Sequence, residues 1–136
     1  MSQKNVNTIE SIYRSFAEGD IASVLGAMSE DIEWNEAENF PYADGSPYTG
    51  PVEVAEGVFQ RLGKEWEYFR LEVERILDAG DTVVTLGRYQ AKNRETHREI
   101  DAQFVHVWDF EDEKIKRFQQ YTDTKQVAHA YGRITV

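Results

Sequence analysis

The 136-residue chain contains no cysteine, which rules out a disulfide framework, a thiolate nucleophile and a thiolate metal site. Nor does it contain an apolar run approaching the ~20 residues a membrane helix needs, or a basic-then-apolar leader at its N-terminus. A cytoplasmic location is the expectation that fits these absences. Positive charge is scarce: 15 Lys and Arg stand against 25 Asp and Glu, for a net charge of −10. A surface of that sign repels phosphate backbones and anionic lipid, so neither nucleic acid nor membrane is an expected partner. Histidine is sparse as well. His97, His106 and His129 lie far apart and form neither an HxH nor an HExxH grouping, so neither a metal nor another cofactor is expected.

What is present belongs to an ordinary globular protein: 40% apolar and 29% charged residues, enough for one domain spanning 1–136 with a real core. Val6, Ile9, Ile12, Tyr13 and Phe16 recur at helical spacing. Gly19 ends that helix, and Asp20 caps a short second one carrying Ile21, Val24, Leu25 and Met28. Residues 32–36 alternate as a strand. Residues 37–50 hold Pro41 and Pro47 yet also Phe40, Tyr42 and Tyr48, a loop that folds over the core or over a pocket. Pro51 opens a third helix with Val52, Ala55, Val58, Phe59 and Leu62 inward and Gly63 at its end. Period-two patterns follow at 66–77 and 82–91, a polar turn at 92–96, a closing hairpin, and one helical turn at 126–131.

The hairpin 104–124 is the most informative stretch. With Asp112-Glu113 as a two-residue turn, Glu111 pairs with Lys114 and Phe110 with Ile115. Unbroken pairing then sets Trp108 against Arg117, His106 against Gln119, Phe104 against Tyr121 and Ala102 against Asp123, all on one sheet face. Val105, Val107, Lys116, Phe118 and Gln120 take the other. The first face mixes large aromatics with polar groups, as the wall of a small-molecule pocket does. A slip of one residue would put His106 and Asp123 on opposite faces.

The element order gives an α+β fold: a curved antiparallel sheet packed as a cone against three helices from the N-terminal half, with a pocket between the layers. In chain order, the segments F-A-E-G-D (16–20), D-I-E-W (31–34), Y-T-G-P (48–51), G-D-T-V-V (80–84) and the hairpin F-x-H-V-W…K-I-x-R-F…Y-x-D-T make the sequence resemble a known family. It is similar to the SnoaL-like, ketosteroid-isomerase-related branch of the nuclear transport factor 2-like superfamily. The resemblance implies a cone-shaped barrel, usually a homodimer, among isomerases, polyketide cyclases, epoxide hydrolases, dehydratases and non-catalytic binders. It also implies a carboxylate near Glu36 as proton carrier and an acidic partner near His106. The helix-one tyrosine position falls on Ile12, with Tyr13 one residue off, and Asp123 matches a cyclase aspartate on the last strand.

Candidate catalytic residues are therefore Asp123, His106 and Glu36. Each has a plainer alternative: Asp123 as the cap of the last helical turn, His106 as a hydrogen-bonded core residue, Glu36 as one of several surface acids. Tyr13, Phe16, Trp34, Phe59, Phe104, Trp108, Gln119 and Tyr121 are expected to contact a small hydrophobic or aromatic ligand. The expected activity is cofactor-free proton abstraction next to a carbonyl, of the cyclase or isomerase kind. A non-catalytic ligand carrier and a dimeric module with a closed core are the alternatives. Val105, Val107 and Phe118 on the outer face point to a homodimer.

Overall fold

A computed structural model describes residues 2–132. Helix α1 (Ser2–Ala17) is followed by α2 (Ile21–Gly26), β1 (Met28–Asn35), a 3₁₀ turn (Pro41–Gly45) and the short β2 (Tyr48–Thr49). A further helix comprises α3 (Gly50–Val54), a π-helical turn (Ala55–Phe59) and α4 (Gln60–Glu65). The long strands β3 (Trp66–Ala79), β4 (Thr82–Asn93), β5 (Glu99–Glu111) and β6 (Lys114–Thr122) and helix α5 (Thr124–Ala130) complete the chain. The strands form one curved, unclosed sheet in the order β2-β1-β6-β5-β4-β3. β3 to β6 make the expected antiparallel meander, and β1 joins it parallel to β6. No helix among the described residues is long and apolar enough to cross a membrane.

Local chemistry places the helices as the sequence suggests. α1 buries Ile9 and Ile12, and its Asn5 side chain donates to the Gly80 carbonyl in the β3–β4 turn at 3.1 Å. Asp20 caps α2 by accepting from the Ser23 N–H at 3.1 Å. Met28, expected in α2, instead opens β1. The third helix departs from its expected stripe. Val58 is buried as expected, but Val52 is 69% exposed and Val54 is buried instead, because the π turn accommodates an extra residue and shifts the phase of the apolar face before it. Gly63 does not stop the helix, which runs to Glu65.

The hairpin turn forms at Asp112-Glu113 as expected, with both residues at positive φ (52° and 67°), a geometry usually left to Gly or Asn. Beyond Phe110↔Ile115 the expected register fails. Asp109 pairs with Arg117, so Lys116 is an extra residue, a β-bulge in β6. Trp108 therefore faces Phe118 rather than Arg117, and His106 faces Gln120 rather than Gln119. Phe104 faces Thr122 rather than Tyr121. Phe118 and Gln120 turn into the concave face and are buried, while Tyr121 turns out and is 56% exposed. One inserted residue exchanges the faces of everything after it.

Candidate functional site

The concave face of β3–β6, roofed by α1, the π turn and α4, encloses a cavity of about 60 Å³. Its walls are aromatic: Tyr13, Phe16, Trp34, Phe59, Trp108 and the newly inward Phe118. Trp34 stacks on Phe118 with ring centres 3.8 Å apart, and Phe59 meets Trp34 edge-on at 5.7 Å. The adjacent Val58 and Phe59 both reach the cavity, as their place in the apolar stripe of the third helix predicts. Half-buried Phe16, Phe59, Leu62, Phe69 and Leu71 ring its mouth.

The loop after β1 closes the other end. Phe40 and Tyr42 are buried and line the cavity. Arg61 lies over the Tyr42 ring at 4.2 Å and grips Asp44 with both terminal nitrogens, at 2.8 and 3.0 Å. The Tyr48 hydroxyl donates to the Tyr42 carbonyl at 2.5 Å. These contacts make the loop a packed wall of the cone.

Two polar groups interrupt this apolar lining. The first is Glu36, just past the end of β1 and 6% exposed. Its Oε2 accepts from the Trp34 indole N–H at 2.7 Å, while Oε1 is buried with no hydrogen-bond partner. Burial raises its pKa from 4.5 to about 7, against the opposing Trp34 hydrogen bond and the positive charge of Arg61. At neutral pH this carboxyl is poised between acid and base.

The second polar group is a hydrogen-bonded row centred on His106. Its Nδ1 lies 2.6 Å from the Tyr13 hydroxyl and its Nε2 lies 2.6 Å from the Tyr89 hydroxyl. The Trp108 indole N–H donates to the Tyr13 oxygen at 3.2 Å, and the Gln120 amide donates to the Tyr89 oxygen at 2.8 Å. Gln120 Oε1 in turn accepts from the backbone N–H of Ala37, the residue after Glu36, at 3.0 Å. Complete burial pushes the His106 pKa down to about 3, so the imidazole is neutral. Burial also raises both phenols above their ordinary range, keeping them protonated.

Of the expected site residues, Glu36, His106, Tyr13, Phe16, Trp34, Phe59 and Trp108 share the cavity. Phe104 lies behind it, its ring stacked 4.1 Å from His106. Gln119, Tyr121 and Asp123 do not line it, because the bulge at Lys116 turns the end of β6 over. Asp123 instead caps α5: it is exposed and accepts from the Gln126 N–H at 3.3 Å. Arg88 pairs with Asp101 at 2.7 Å on the exposed side of the sheet. The principal residues missed were Tyr89 and Gln120. Tyr89 was legible in principle, since Val83, Thr85, Gly87, Tyr89 and Ala91 alternate along β4 and Thr85 pairs with His106. Gln120 was hidden by the bulge.

The family profile described as SnoaL-like domain matches residues 9–118. An NTF2-like protein from Burkholderia thailandensis is 34% identical, with 93% of this chain and 96% of that one covered and a TM-score of 0.89. TerC, co-crystallised with polyporic acid, is 25% identical over 95% of this chain and 98% of its own, with a TM-score of 0.84. A putative SnoaL-like polyketide cyclase from Jannaschia shares the fold at 15% identity, with 99% and 96% covered and a TM-score of 0.84. No curated protein matches.

Proposed function

The chain belongs to the SnoaL-like domain family, and from that premise we propose that it catalyses cofactor-free proton transfer next to a carbonyl in the cone, with Glu36 as the base. One observation carries this reading: a buried carboxyl with a pKa of about 7 and an unpartnered oxygen, set in an apolar aromatic cavity. A base is most effective when its pKa lies near the working pH. His106 is not an acid in this scheme, because it is neutral and a phenol occupies each of its nitrogens. It organises the phenols that face a developing oxyanion. Asp123 has no part in it. The family's cyclases and the polyporic-acid complex of TerC support a ligand that is flat and oxygenated.

The test uses a small ketone, since a cavity of 60 Å³ takes only a few heavy atoms unless the rings at its mouth move. Cyclopentanone in D2O should exchange its α-protons faster with the protein than without it, as read by proton NMR. The rate should rise with pH and level off above about 7, as Glu36 ionises. Glu36→Gln should lower the accelerated rate by at least ~10²-fold. Binding of the ketone without accelerated exchange would make the protein a carrier.

The same reading includes assembly as a homodimer through the outer sheet face, where Val105 and Val107 are half-buried and Tyr121 is exposed. Light scattering should then give about twice the 15.7 kDa chain mass at micromolar concentration. Monomer mass would overturn it.

A further inference from the structure

The cavity holds an acid without a matching cation. Glu36 is the one carboxyl in its lining, and no Lys or Arg is found among the described residues that line it. Arg61 is close enough for its charge to act on Glu36, but both its terminal nitrogens are committed to Asp44 and its guanidinium lies over Tyr42. Glu36 Oε2 is taken by the Trp34 indole N–H, and Oε1 is left unpaired. Once ionised, a buried carboxylate in this state lacks a counter-charge and one hydrogen-bond donor. A ligand carrying both would satisfy it.

The surrounding rings suit such a ligand. Phe59 and Trp108 stand across Trp34 at 68° and 77°, and Tyr13 stands across Trp108 at 84°. Their ring centres are 5.7, 5.9 and 6.0 Å apart, and all four side chains line the cavity. The Trp34 N–H is used by Glu36 and the Trp108 N–H by Tyr13, so the two indoles offer a ligand only apolar surface. Ring planes set crosswise around a small space form a cage, and an organic cation within about 6 Å of their centres is attracted by their faces.

Donor count narrows the class. A divalent metal wants about six oxygens, and the described residues contain no group of three or more metal-ligating side chains. A primary ammonium brings three N–H groups to one free acceptor, so two would be buried unpaired. A quaternary ammonium brings none and leaves Oε1 unpaired. A tertiary ammonium brings one N–H for Oε1 and turns its alkyl groups to the rings. A cavity of 60 Å³ restricts it to a few heavy atoms.

We propose that the cone binds small tertiary ammonium ions, with their N–H on Glu36 Oε1 and their alkyl groups against Tyr13, Trp34, Phe59 and Trp108. This goes beyond proton transfer next to a carbonyl, because the carboxylate here acts as a counter-ion and not as a base. The two kinds of ligand exclude each other. A net charge of −10 draws cations towards the protein.

Trimethylammonium and tert-butanol separate charge from shape, since each offers one donor and three methyl groups. At pH 8, where Glu36 is ionised, proton NMR titration of the whole protein should show trimethylammonium binding at least ~10-fold tighter than tert-butanol. It should also bind tighter than tetramethylammonium, with NOEs from its methyl groups to the Trp34 and Phe59 rings. Glu36→Gln, which keeps the side-chain shape and an oxygen for Trp34, should erase the preference over tert-butanol. Phe59→Leu should weaken trimethylammonium by ~3-fold and hardly change the alcohol. Equal affinities for cation and alcohol overturn the proposal, as does a preference that survives Glu36→Gln. NOEs found only to residues outside the cone overturn it too, and tetramethylammonium binding as tightly as trimethylammonium overturns the N–H contact. Cation binding without accelerated ketone exchange keeps this inference and counts against the proposed function. Accelerated exchange that saturating trimethylammonium fails to suppress overturns the inference alone.

Discussion

Glu36→Gln should melt higher than the wild type at pH 8 and a few degrees lower at pH 4, where only the unpaired amide N–H of glutamine counts. In the unfolded chain the carboxyl ionises at its ordinary value, while in the folded protein burial delays ionisation to about 7. Between those values the folded state binds more protons than the unfolded one, so stability falls as pH rises. Glu36 exacts no penalty below the unfolded value, where both states are protonated. Above about 7 the folded protein holds a buried charge, and the raised pKa corresponds to about 3 kcal/mol at ~1.4 kcal/mol per unit. Glutamine keeps an oxygen for the Trp34 N–H but leaves an amide N–H unpaired where Oε1 now lies, which costs about 1 kcal/mol of that gain. The net at pH 8 is about 2 kcal/mol, or roughly 6–10 °C for a domain of this size. Paired melts at the two pH values measure it. A variant that melts lower at both would make Glu36 a structural acid. A stability gain combined with lost proton exchange is the trade expected of a residue kept for function.

The parts of this protein legible in its sequence are those governed by simple periods. The inward face of α1, the alternation of the four long strands and the break at Asp112-Glu113 all follow from spacing and turn chemistry. His106 was legible because an imidazole between Phe104 and Trp108 stands out in a strand, whereas Glu36, one of three neighbouring acids with Glu33 and Glu38, was singled out only by the family resemblance. What was not legible depends on single inserted residues. Lys116 looks like any polar strand residue, yet as a bulge it brings Phe118 and Gln120 into the cone and sends Gln119, Tyr121 and Asp123 out of it. The π turn shifts the start of the third helix in the same way, so that Val52 is exposed and Val54 buried. The bulge is marked by neither glycine nor proline, and the π turn contains Gly57, against which the Tyr48 ring packs where a Cβ would stand 2.1 Å from it. The bulge shapes the site directly. Without the bulge, the amide that holds Tyr89 would lie on the other face of the sheet.

Gly87→Ala should cost about 3 kcal/mol or more and disturb the site from a distance. Gly87 lies in the middle of β4, paired with Val73 on one side and Phe104 on the other, next to the irregularity in β3 between Val73 and Arg75. A Cβ there would stand 2.2 Å from the Glu72 carbonyl oxygen and 2.7 Å from the tip of the Phe104 ring. The ring could swing away, but the carbonyl belongs to the neighbouring strand and can retreat only if β3 parts from β4. Phe104 has little freedom either, since it stacks on Tyr89 at 4.6 Å and on His106 at 4.1 Å. The absent side chain thus lets the sheet curve tightly enough for one ring to order the histidine and the phenol together. Urea unfolding should show the loss of stability, and the His106 ¹⁵N signals should broaden or shift although no group that bonds to the imidazole has changed. Adding Phe104→Leu should recover only part of the loss, because it relieves the ring contact and leaves the backbone one. If Gly87→Ala lies within ~0.5 kcal/mol of wild type, the effect expected of a neutral surface change, the close approach of β3 to β4 is not what shapes the cone.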